Sequence, residues 1–187
     1  MKSQFFSNKI ERVVFTEAEI EAAVAKMGRQ ITKDYAGRSP LLVSVLRGGM
    51  IFVADLMRHI DLPVSVDFMA ITSYGPKAAS GVVQVVKDLD DPITKRDVIV
   101  VEDIIDTGLT LNYLKQILLA KEPASLSICT LLDKSVRRIA NIPLAYKGFD
   151  LEDVFVVGYG LDFNQAYRNL PYLGVLKEDR IKDLNFI

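Results

Sequence analysis

Short, almost uninterrupted apolar runs that alternate with helix-like patterns are the feature that most restricts the fold of this chain. The clearest runs are Pro40–Leu46, Val98–Val101 and Leu126–Leu132. Nearly continuous apolar strands are typical of parallel sheets whose two faces are both covered by helices. The pattern therefore predicts an α/β fold with a mostly parallel central sheet flanked by helices.

The first helix is predicted from its amino-terminal signal and its periodicity. Thr16 and Glu19 form a capping-box pattern, and apolar residues then recur at spacings of three and four up to about Gly37. A second helix is predicted over residues 48–60, with His59 as a helix-end residue, and a third from about Leu109. Further strands are predicted over residues 64–71, 82–86 and 154–160, with a polar loop over 73–81.

Composition excludes several classes of function. The 187 residues predict a single domain, 1–187, and the net charge of −1 argues against a broad nucleic-acid or anionic-membrane surface. No apolar run approaches the roughly 20 residues of a membrane span, and the amino terminus lacks the apolar core of a signal peptide. Cys129, the single cysteine, is predicted to be buried in a strand, and a cytoplasmic location is the default expectation.

Four polar segments each follow directly after a predicted strand. In open α/β sheets, ligands bind at the carboxyl ends of the strands, so these segments are candidate binding elements. They are Arg47–Gly49, Glu102–Thr110, Asp133–Lys134 and Gly158–Asp162.

The turn Asp106-Thr107-Gly108-Leu109-Thr110 stands before a helical pattern. A helix start carries unpaired N–H groups and a partial positive charge, and a glycine lets the backbone approach a ligand closely. With its two threonine hydroxyls, the turn is a workable cradle for one phosphate group. The alternative is an ordinary helix cap with a tight turn.

Glu102 and Asp103 are adjacent acids at the end of a predicted buried strand. Two such acids lose hydration and repel each other unless a divalent cation or sugar hydroxyls compensate, or unless both reach solvent. A magnesium ion that shares a few carboxylates with the oxygens of a polyphosphate fits this arrangement. Ile104 and Ile105 would then form an apolar floor beneath the loop.

The segment "VIVVEDIIDTGLTL" resembles the ribose-phosphate-binding motif of the type I phosphoribosyltransferases. Its Glu-Asp pair is similar to that of the bacterial hypoxanthine-guanine members. Three further segments match in order: "LRGG" at Leu46–Gly49, "LLDK" at Leu131–Lys134, and the stretch that begins "VFVVGYGLDFNQAYRNL" at Val154. The resemblance covers about Val14 to Val175 and implies that family's fold, with a small hood formed by the chain ends.

The resemblance implies how the first motif binds 5-phosphoribosyl 1-diphosphate. Glu102 and Asp103 would hold the ribose hydroxyls and an associated Mg²⁺. Asp106 would be the general base near the purine N7. The segment that wraps the 5′-phosphate would comprise Asp106, Thr107, Gly108, Leu109 and Thr110, although some members have lysine in place of Leu109.

The remaining roles are also implied by the resemblance. Arg47 and Gly48, after an expected non-proline cis peptide at Leu46–Arg47, would bind pyrophosphate together with Arg168. Without the resemblance, these residues would be an ordinary turn and a helix-surface charge. The resemblance also implies that the loop beginning Ser73-Tyr74 folds over the site during reaction.

The purine end of the site is implied in the same way. Lys134 would contact the purine O6, Phe155 would stack on the base, Val156 would offer backbone groups to the base edge, and Asp162 would ligate a second Mg²⁺. Without the resemblance, Lys134 would be a surface lysine, Phe155 and Val156 core residues, and Asp162 a turn residue.

The function implied is purine salvage, with transfer of the phosphoribosyl group to N9 of hypoxanthine or guanine. The products would be IMP or GMP and pyrophosphate, and the enzyme would be a homodimer or homotetramer. One alternative is a regulator of the same fold that binds phosphoribosyl diphosphate, a nucleotide or RNA. Another is an enzyme that prefers xanthine.

Overall fold

A computed structural model describes residues 9–73 and 83–177, which form two β-sheets and three α-helices. The helices are α1 (Glu17–Asp34), α2 (Met50–Arg58) and α3 (Leu109–Leu119). The nine strands are β1 (Ile10–Phe15), β2 (Leu41–Leu46), β3 (Ser65–Ser73), β4 (Val83–Lys87), β5 (Asp97–Ile105), β6 (Ser125–Asp133), β7 (Tyr146–Asp150), β8 (Val156–Val157) and β9 (Leu173–Leu176).

The central sheet has six strands in the order β4-β3-β2-β5-β6-β7. Strands β3, β2, β5, β6 and β7 are parallel, and β4 joins the edge in the antiparallel direction. The predicted, mostly parallel sheet is therefore confirmed. Because neighbouring parallel strands end at the same edge, the segments that follow β2, β5 and β6 are brought side by side.

Helices cover both faces of this sheet, which explains why its strands are apolar at consecutive positions. One face packs Leu42, Ile99 and Val101 under α1 and α2, and the other packs Val43 and Val100 under α3. Consecutive residues of a strand point to opposite faces, so a sheet buried on both sides needs apolar residues at every position. Cys129 of β6 is fully buried, as predicted, and this burial raises the pKa of its thiol.

Helix α1 starts as predicted and ends earlier than predicted. The Glu19 carboxylate accepts a hydrogen bond from the Thr16 backbone N–H at 2.8 Å, and the Thr16 hydroxyl accepts one from the Glu19 backbone N–H at 3.3 Å. The helix ends at Asp34 rather than near Gly37.

His59 caps the carboxyl end of α2, as predicted. None of the helices among residues 9–73 and 83–177 is long and apolar enough to cross a membrane.

Strands near the two ends of the described chain form the expected hood, a separate antiparallel sheet in the order β1-β9-β8. The sequence patterns predicted neither β1 nor β9, and β7 of the central sheet was also missed. The strand predicted over residues 154–160 is reduced to Val156–Val157. It stops there because Gly158, Tyr159 and Gly160 have φ values of 104°, 47° and 100°, which are incompatible with an extended strand.

Strand β5 is longer than its apolar run. It was predicted to stop at Val101 but continues to Ile105, with Glu102 paired to Thr130 and Ile104 to Leu132 of β6. The two acids therefore lie inside the strand rather than after it. Their backbone groups belong to the sheet, which fixes the direction of their side chains.

Candidate active site

The predicted polar segments after β2, β5 and β6 lie next to one another, because these three strands are neighbours in the sheet. A cavity of about 250 Å³ lies along the segment after β5. Its lining combines acid, apolar and backbone groups from one stretch of chain: Glu102, Ile104, Ile105, Asp106, Thr107, Gly108, Thr110 and Leu111.

Glu102 and Asp103 are buried carboxylates, each with 9% of its surface exposed. Burial raises the pKa of Glu102 well above its ordinary value, and the neighbouring Asp103 charge raises it further. Burial also raises the pKa of Asp103 to about 6, although its hydrogen bond from the Ile104 backbone N–H and the charge of Arg168 act in the opposite direction. No cation among the described residues lies within ion-pair distance of either carboxylate.

Replacing Asp103 by asparagine should stabilise the metal-free protein near neutral pH. A carboxyl whose pKa is raised from 3.8 to about 6 on folding stabilises the protein fully below its unfolded value, and this contribution is lost as pH rises through about 6. We expect the variant to gain roughly 1–3 kcal/mol in free energy of unfolding at pH 7.5, and most of this gain to disappear at pH 4. Denaturant unfolding at both pH values, without divalent cations, measures the difference.

The control for this experiment is Asp150→Asn, which removes an exposed acid at the end of β7. It should change the free energy of unfolding by much less at pH 7.5. An Asp103→Asn protein no more stable than wild type at that pH would mean that the buried charge does not destabilise the fold.

The loop after β2 packs directly against Asp103. A methyl group built on Gly48 would collide with the Asp103 carboxylate, and one built on Gly160 would collide with the Gly48 carbonyl. Close approach of these backbones therefore requires glycine at both positions. The expected cis peptide is present at Leu46–Arg47, and the Arg47 side chain is exposed beside this loop.

The turn before α3 has the geometry of a phosphate cradle. Gly108 adopts a left-handed conformation with φ of 78° and stands at the N-cap position of α3, so no capping side chain covers the start of the helix. The first intrahelical hydrogen bond runs from the Asn112 N–H to the Gly108 carbonyl at 2.9 Å, so the N–H groups before Asn112 have no partner within the helix. Leu109, at the first helical position, is half exposed, and its N–H donates to the Thr107 hydroxyl oxygen at 3.4 Å.

A short 3-10 turn after β6, Ser135–Arg137, lies beside this cradle. The Thr107 carbonyl accepts hydrogen bonds from the N–H groups of Ile139 at 2.9 Å and Ala140 at 3.1 Å. The Lys134 N–H donates to the Ile105 carbonyl at 2.9 Å. These three backbone hydrogen bonds hold the segment after β6 and the phosphate cradle together.

An ion-pair chain links Asp106 to Lys134. Arg137 Nε lies 3.2 Å from Asp106 Oδ1, and Arg137 Nη1 lies 3.5 Å from Asp153 Oδ1. The same Asp153 oxygen lies 3.7 Å from Lys134 Nζ. Asp106 Oδ1 is shielded from solvent, and the Arg137 contact does not have hydrogen-bond geometry. Sequence reasoning found neither Arg137 nor Asp153, since neither lies in one of the matched motifs.

The residues expected at the purine end have contrasting environments. Lys134 is only 7% exposed, so it is not a surface lysine. Phe155 is 50% exposed and meets Phe163 edge-on at 5.7 Å between ring centres, so its assignment to the core from periodicity alone is wrong. Val156 is buried in β8 and pairs with Val175 of β9.

A polar network joins the hood to the loop after β2. Arg168 Nη2 lies 2.8 Å from Asp162 Oδ1, and Arg168 Nη1 donates to the Gly160 carbonyl at 2.7 Å. The Gln165 side-chain oxygen accepts hydrogen bonds from both Arg168 and Arg47. Arg168 is therefore not a helix-surface charge, and Gln165 is a member of the cluster that the sequence did not indicate.

Two expected loop residues cannot be placed with the others. Ser73 is the last residue of β3, but its side chain is not described, and Tyr74 lies outside the described residues. The described part of the chain brings together candidates from four segments. They are Arg47, Gly48, Glu102, Asp103, Asp106, Thr107, Gly108, Leu109, Thr110, Lys134, Asp162 and Arg168, whereas Phe155 contacts Phe163 and Val156 pairs within the hood.

Comparisons with known proteins identify the family of this chain. The phosphoribosyl transferase domain family matches residues 14–164. The hypoxanthine-guanine phosphoribosyltransferase of Streptococcus mutans is 48% identical over 171 residues, which cover 91% of this chain and 95% of the relative. The hypoxanthine-guanine phosphoribosyltransferase of Bacillus subtilis is 47% identical over 169 residues, which cover 90% of this chain and 94% of the relative.

Solved structures give the same result. The crystal structure of a hypoxanthine phosphoribosyltransferase from Staphylococcus aureus superposes with a TM-score of 0.92 and 42% identity, covering 96% of this chain and 98% of that chain. The family match covers residues 14–164, and the identities and the shared fold concern at least 90% of the chain. This chain therefore belongs to the phosphoribosyl transferase family and groups with its hypoxanthine-guanine phosphoribosyltransferases.

Proposed function

We propose that this protein transfers the 5-phosphoribosyl group of 5-phosphoribosyl 1-diphosphate to N9 of hypoxanthine or guanine. The products are IMP or GMP and pyrophosphate. The observation that carries the proposal is the meeting of three features: two buried acids, a phosphate cradle and a buried lysine on neighbouring parallel strands. The names and high identity of the relatives support the same reaction.

The sugar phosphate is proposed to bind along β5 and the turn after it. Thr107, Gly108, Leu109 and Thr110 would receive the 5′-phosphate, because backbone N–H groups at a helix start suit an anion. Glu102 and Asp103 would accept hydrogen bonds from the ribose hydroxyls. The 250 Å³ cavity between these two groups supports this arrangement.

The acid pair also suits Mg²⁺. Two buried carboxylates without a cation partner among the described residues carry an electrostatic penalty that a hard divalent cation would relieve. No group of three or more ligating side chains occurs in the described ranges, which fits an ion that keeps most of its oxygen ligands from the substrate. When bound, Mg²⁺ would neutralise charge on the leaving pyrophosphate, with Glu102 and Asp103 as the proposed protein ligands of one ion and Asp162 as that of a second.

The purine is proposed to bind between Lys134 and the hood. The Lys134 ammonium would donate to O6, the exposed ring of Phe155 would stack on the base, and Val156 would offer backbone groups to the base edge. A lysine can only donate hydrogen bonds, so this position favours an oxo group over an amino group.

In the proposed chemistry, the bond between C1′ and the pyrophosphate oxygen breaks while a bond between C1′ and N9 forms. The sugar passes through an oxocarbenium-like state. Asp106 accepts the proton that the base loses, and Arg47, Gly48 and Arg168 bind the departing pyrophosphate.

The proposal also covers the whole chain as one domain, a cytoplasmic location and self-association as a dimer or tetramer. A regulator that binds phosphoribosyl diphosphate without catalysis is the rival, and Lys134 and Phe155 count against it because such a regulator needs no purine pocket. Measured turnover by the wild-type protein would distinguish the enzyme from the regulator. A comparison of xanthine with hypoxanthine and guanine as substrates would distinguish it from an enzyme that prefers xanthine.

Lys134→Met tests the proposed purine specificity. Methionine keeps an apolar stem of similar length and removes the donor, so kcat/KM for hypoxanthine and guanine should fall while adenine remains poor. An unpaired polar group in a closed site costs about 1–3 kcal/mol, which corresponds to roughly tenfold to more than hundredfold discrimination by wild type. The measurement is kcat/KM for hypoxanthine, guanine, xanthine and adenine with each protein.

The matched control is Lys147→Met, at an exposed lysine of β7, which should leave the preference unchanged. Wild type that uses adenine as well as hypoxanthine would refute Lys134 as the O6 reader. So would a Lys134→Met variant with an undiminished preference for oxopurines.

A further inference from the structure

Gln165 holds two arginines from distant parts of the chain. Its side-chain oxygen accepts one hydrogen bond from Arg47 Nη1 at 2.8 Å and another from Arg168 Nη2 at 3.2 Å. Arg47 belongs to the loop after β2, whereas Arg168 belongs to the segment between β8 and β9 of the hood. One uncharged oxygen atom therefore keeps two guanidinium groups close together.

The backbone around Gln165 is itself fixed. Its N–H donates to Asp162 Oδ2 at 2.8 Å, and the other oxygen of Asp162 pairs with Arg168. Asn164 and Gln165 have φ values of 50° and 65°, a left-handed conformation that residues other than glycine rarely adopt. The side chain of Gln165 thus starts from a tightly turned and hydrogen-bonded segment.

The ion pairs of this cluster leave Arg47 without a carboxylate partner among the described residues. Asp162 neutralises part of the Arg168 charge, but no carboxylate among residues 9–73 and 83–177 forms an ion pair with Arg47. Two guanidinium groups repel each other, so some group must hold them together when no anion is bound. An amide oxygen does this without cancelling the positive charge that would attract an anion.

We infer that Gln165 is a positioning residue for diphosphate binding: it orients Arg47 and Arg168 so that both can bind one diphosphate group. The inference rests on the proposed function, in which these arginines receive pyrophosphate. A diphosphate offers oxygens on two phosphorus atoms, and two forked cations held side by side match it better than one. Gln165 itself need not touch the ligand.

Calorimetric titration of Gln165→Met with pyrophosphate and with IMP, both in the presence of Mg²⁺, tests this role. Methionine keeps the length of the side chain and removes the acceptor. The loss of its hydrogen bonds should weaken pyrophosphate binding about threefold to tenfold. IMP binding should change less than twofold, because IMP carries only the 5′-phosphate. The control Gln116→Met, at an exposed position of α3, should affect neither ligand.

A double variant identifies the route by which Gln165 acts. If it acts by holding Arg47, then adding Gln165→Met to Arg47→Met should weaken pyrophosphate binding by less than it does in wild type. An undiminished effect in that background would overturn the assignment to positioning. An equal loss of IMP binding would also overturn it, since this would show a general defect of the fold.

The inference and the proposed function fail in different ways. If wild type turns over hypoxanthine and Gln165→Met binds pyrophosphate as wild type does, only the inference is refuted. If wild type binds neither pyrophosphate nor IMP and forms no nucleotide, both are refuted.

Discussion

Asp106→Asn is expected to lower kcat by a factor of roughly 10²–10⁴, the usual contribution of a general base. Asparagine preserves the size of the side chain and one oxygen atom, but it cannot accept the proton that the purine loses. Asp106 follows β5 at the 250 Å³ cavity, next to the phosphate cradle. The measurements are kcat for IMP formation and the dissociation constant of phosphoribosyl diphosphate, which should change much less.

Arg137→Met separates the loss of the base from the loss of its ion pair. This variant leaves the Asp106 carboxylate in place and removes the cation that lies 3.2 Å from it. Both side chains are nearly half exposed, and such pairs are worth about 0.2–1 kcal/mol, so kcat should fall by less than tenfold. Equal losses in the two variants would assign the effect to the ion pair, and an unchanged kcat in Asp106→Asn would remove Asp106 from the chemistry.

Removal of divalent cations is expected to abolish activity, and added Mg²⁺ should restore it. The reason is that Glu102 and Asp103 are buried acids whose charges need a cation, as does the departing pyrophosphate. The measurement is the initial rate of IMP formation with excess EDTA and then with excess Mg²⁺. Full activity in EDTA would eliminate the metal from the mechanism.

The double variant Glu102→Gln with Asp103→Asn tests whether these two acids cause the dependence on Mg²⁺. It should weaken binding of phosphoribosyl diphosphate in Mg²⁺ far more than binding of the free base, because only the former uses the acids. Asp150→Asn, at an exposed acid, is the matched control and should bind both ligands like wild type. Equal weakening of both ligands would point to a damaged fold instead.

The same acids link activity to stability. Asp103→Asn is expected to raise the stability of the metal-free protein and to weaken its proposed sugar and metal site. A functional site that keeps two carboxylates buried and unpaired stabilises the fold less than neutral residues would at neutral pH.

Much of the fold could be predicted from periodicity. All strands of the central sheet except β7, the three helices and the capping box at Thr16 carry local signals. The buried strands are recognised because consecutive apolar positions occur where both faces of a sheet are covered. Strands β1, β7 and β9 were missed. The burial of β1 and β7 is mixed, and β1 and β9 are held by pairing across the hood, which no local pattern expresses.

The boundary of β5 shows that the end of a strand is also hard to predict from local sequence. A polar residue normally suggests the end of an apolar strand, yet β5 continues through Glu102 and Asp103 because its backbone pairs with β6 as far as Ile105. Conversely, the residues after Val157 look like a strand but leave the extended conformation, since Gly158, Tyr159 and Gly160 turn to positive φ.

The sequence by itself determined the fold class, the positions of the candidate motifs and their order, because these depend on local spacing and on residue types with specific chemistry. Only the tertiary structure decided which polar side chains meet. The burial of Lys134, the exposure of Phe155, the ion pair between Arg137 and Asp106, and the bridge from Gln165 to Arg47 and Arg168 all depend on contacts between segments far apart in the chain. A charged or amide residue in a polar stretch looks the same in sequence whether it faces water or a partner, and only the packing of the sheet and hood distinguishes the two.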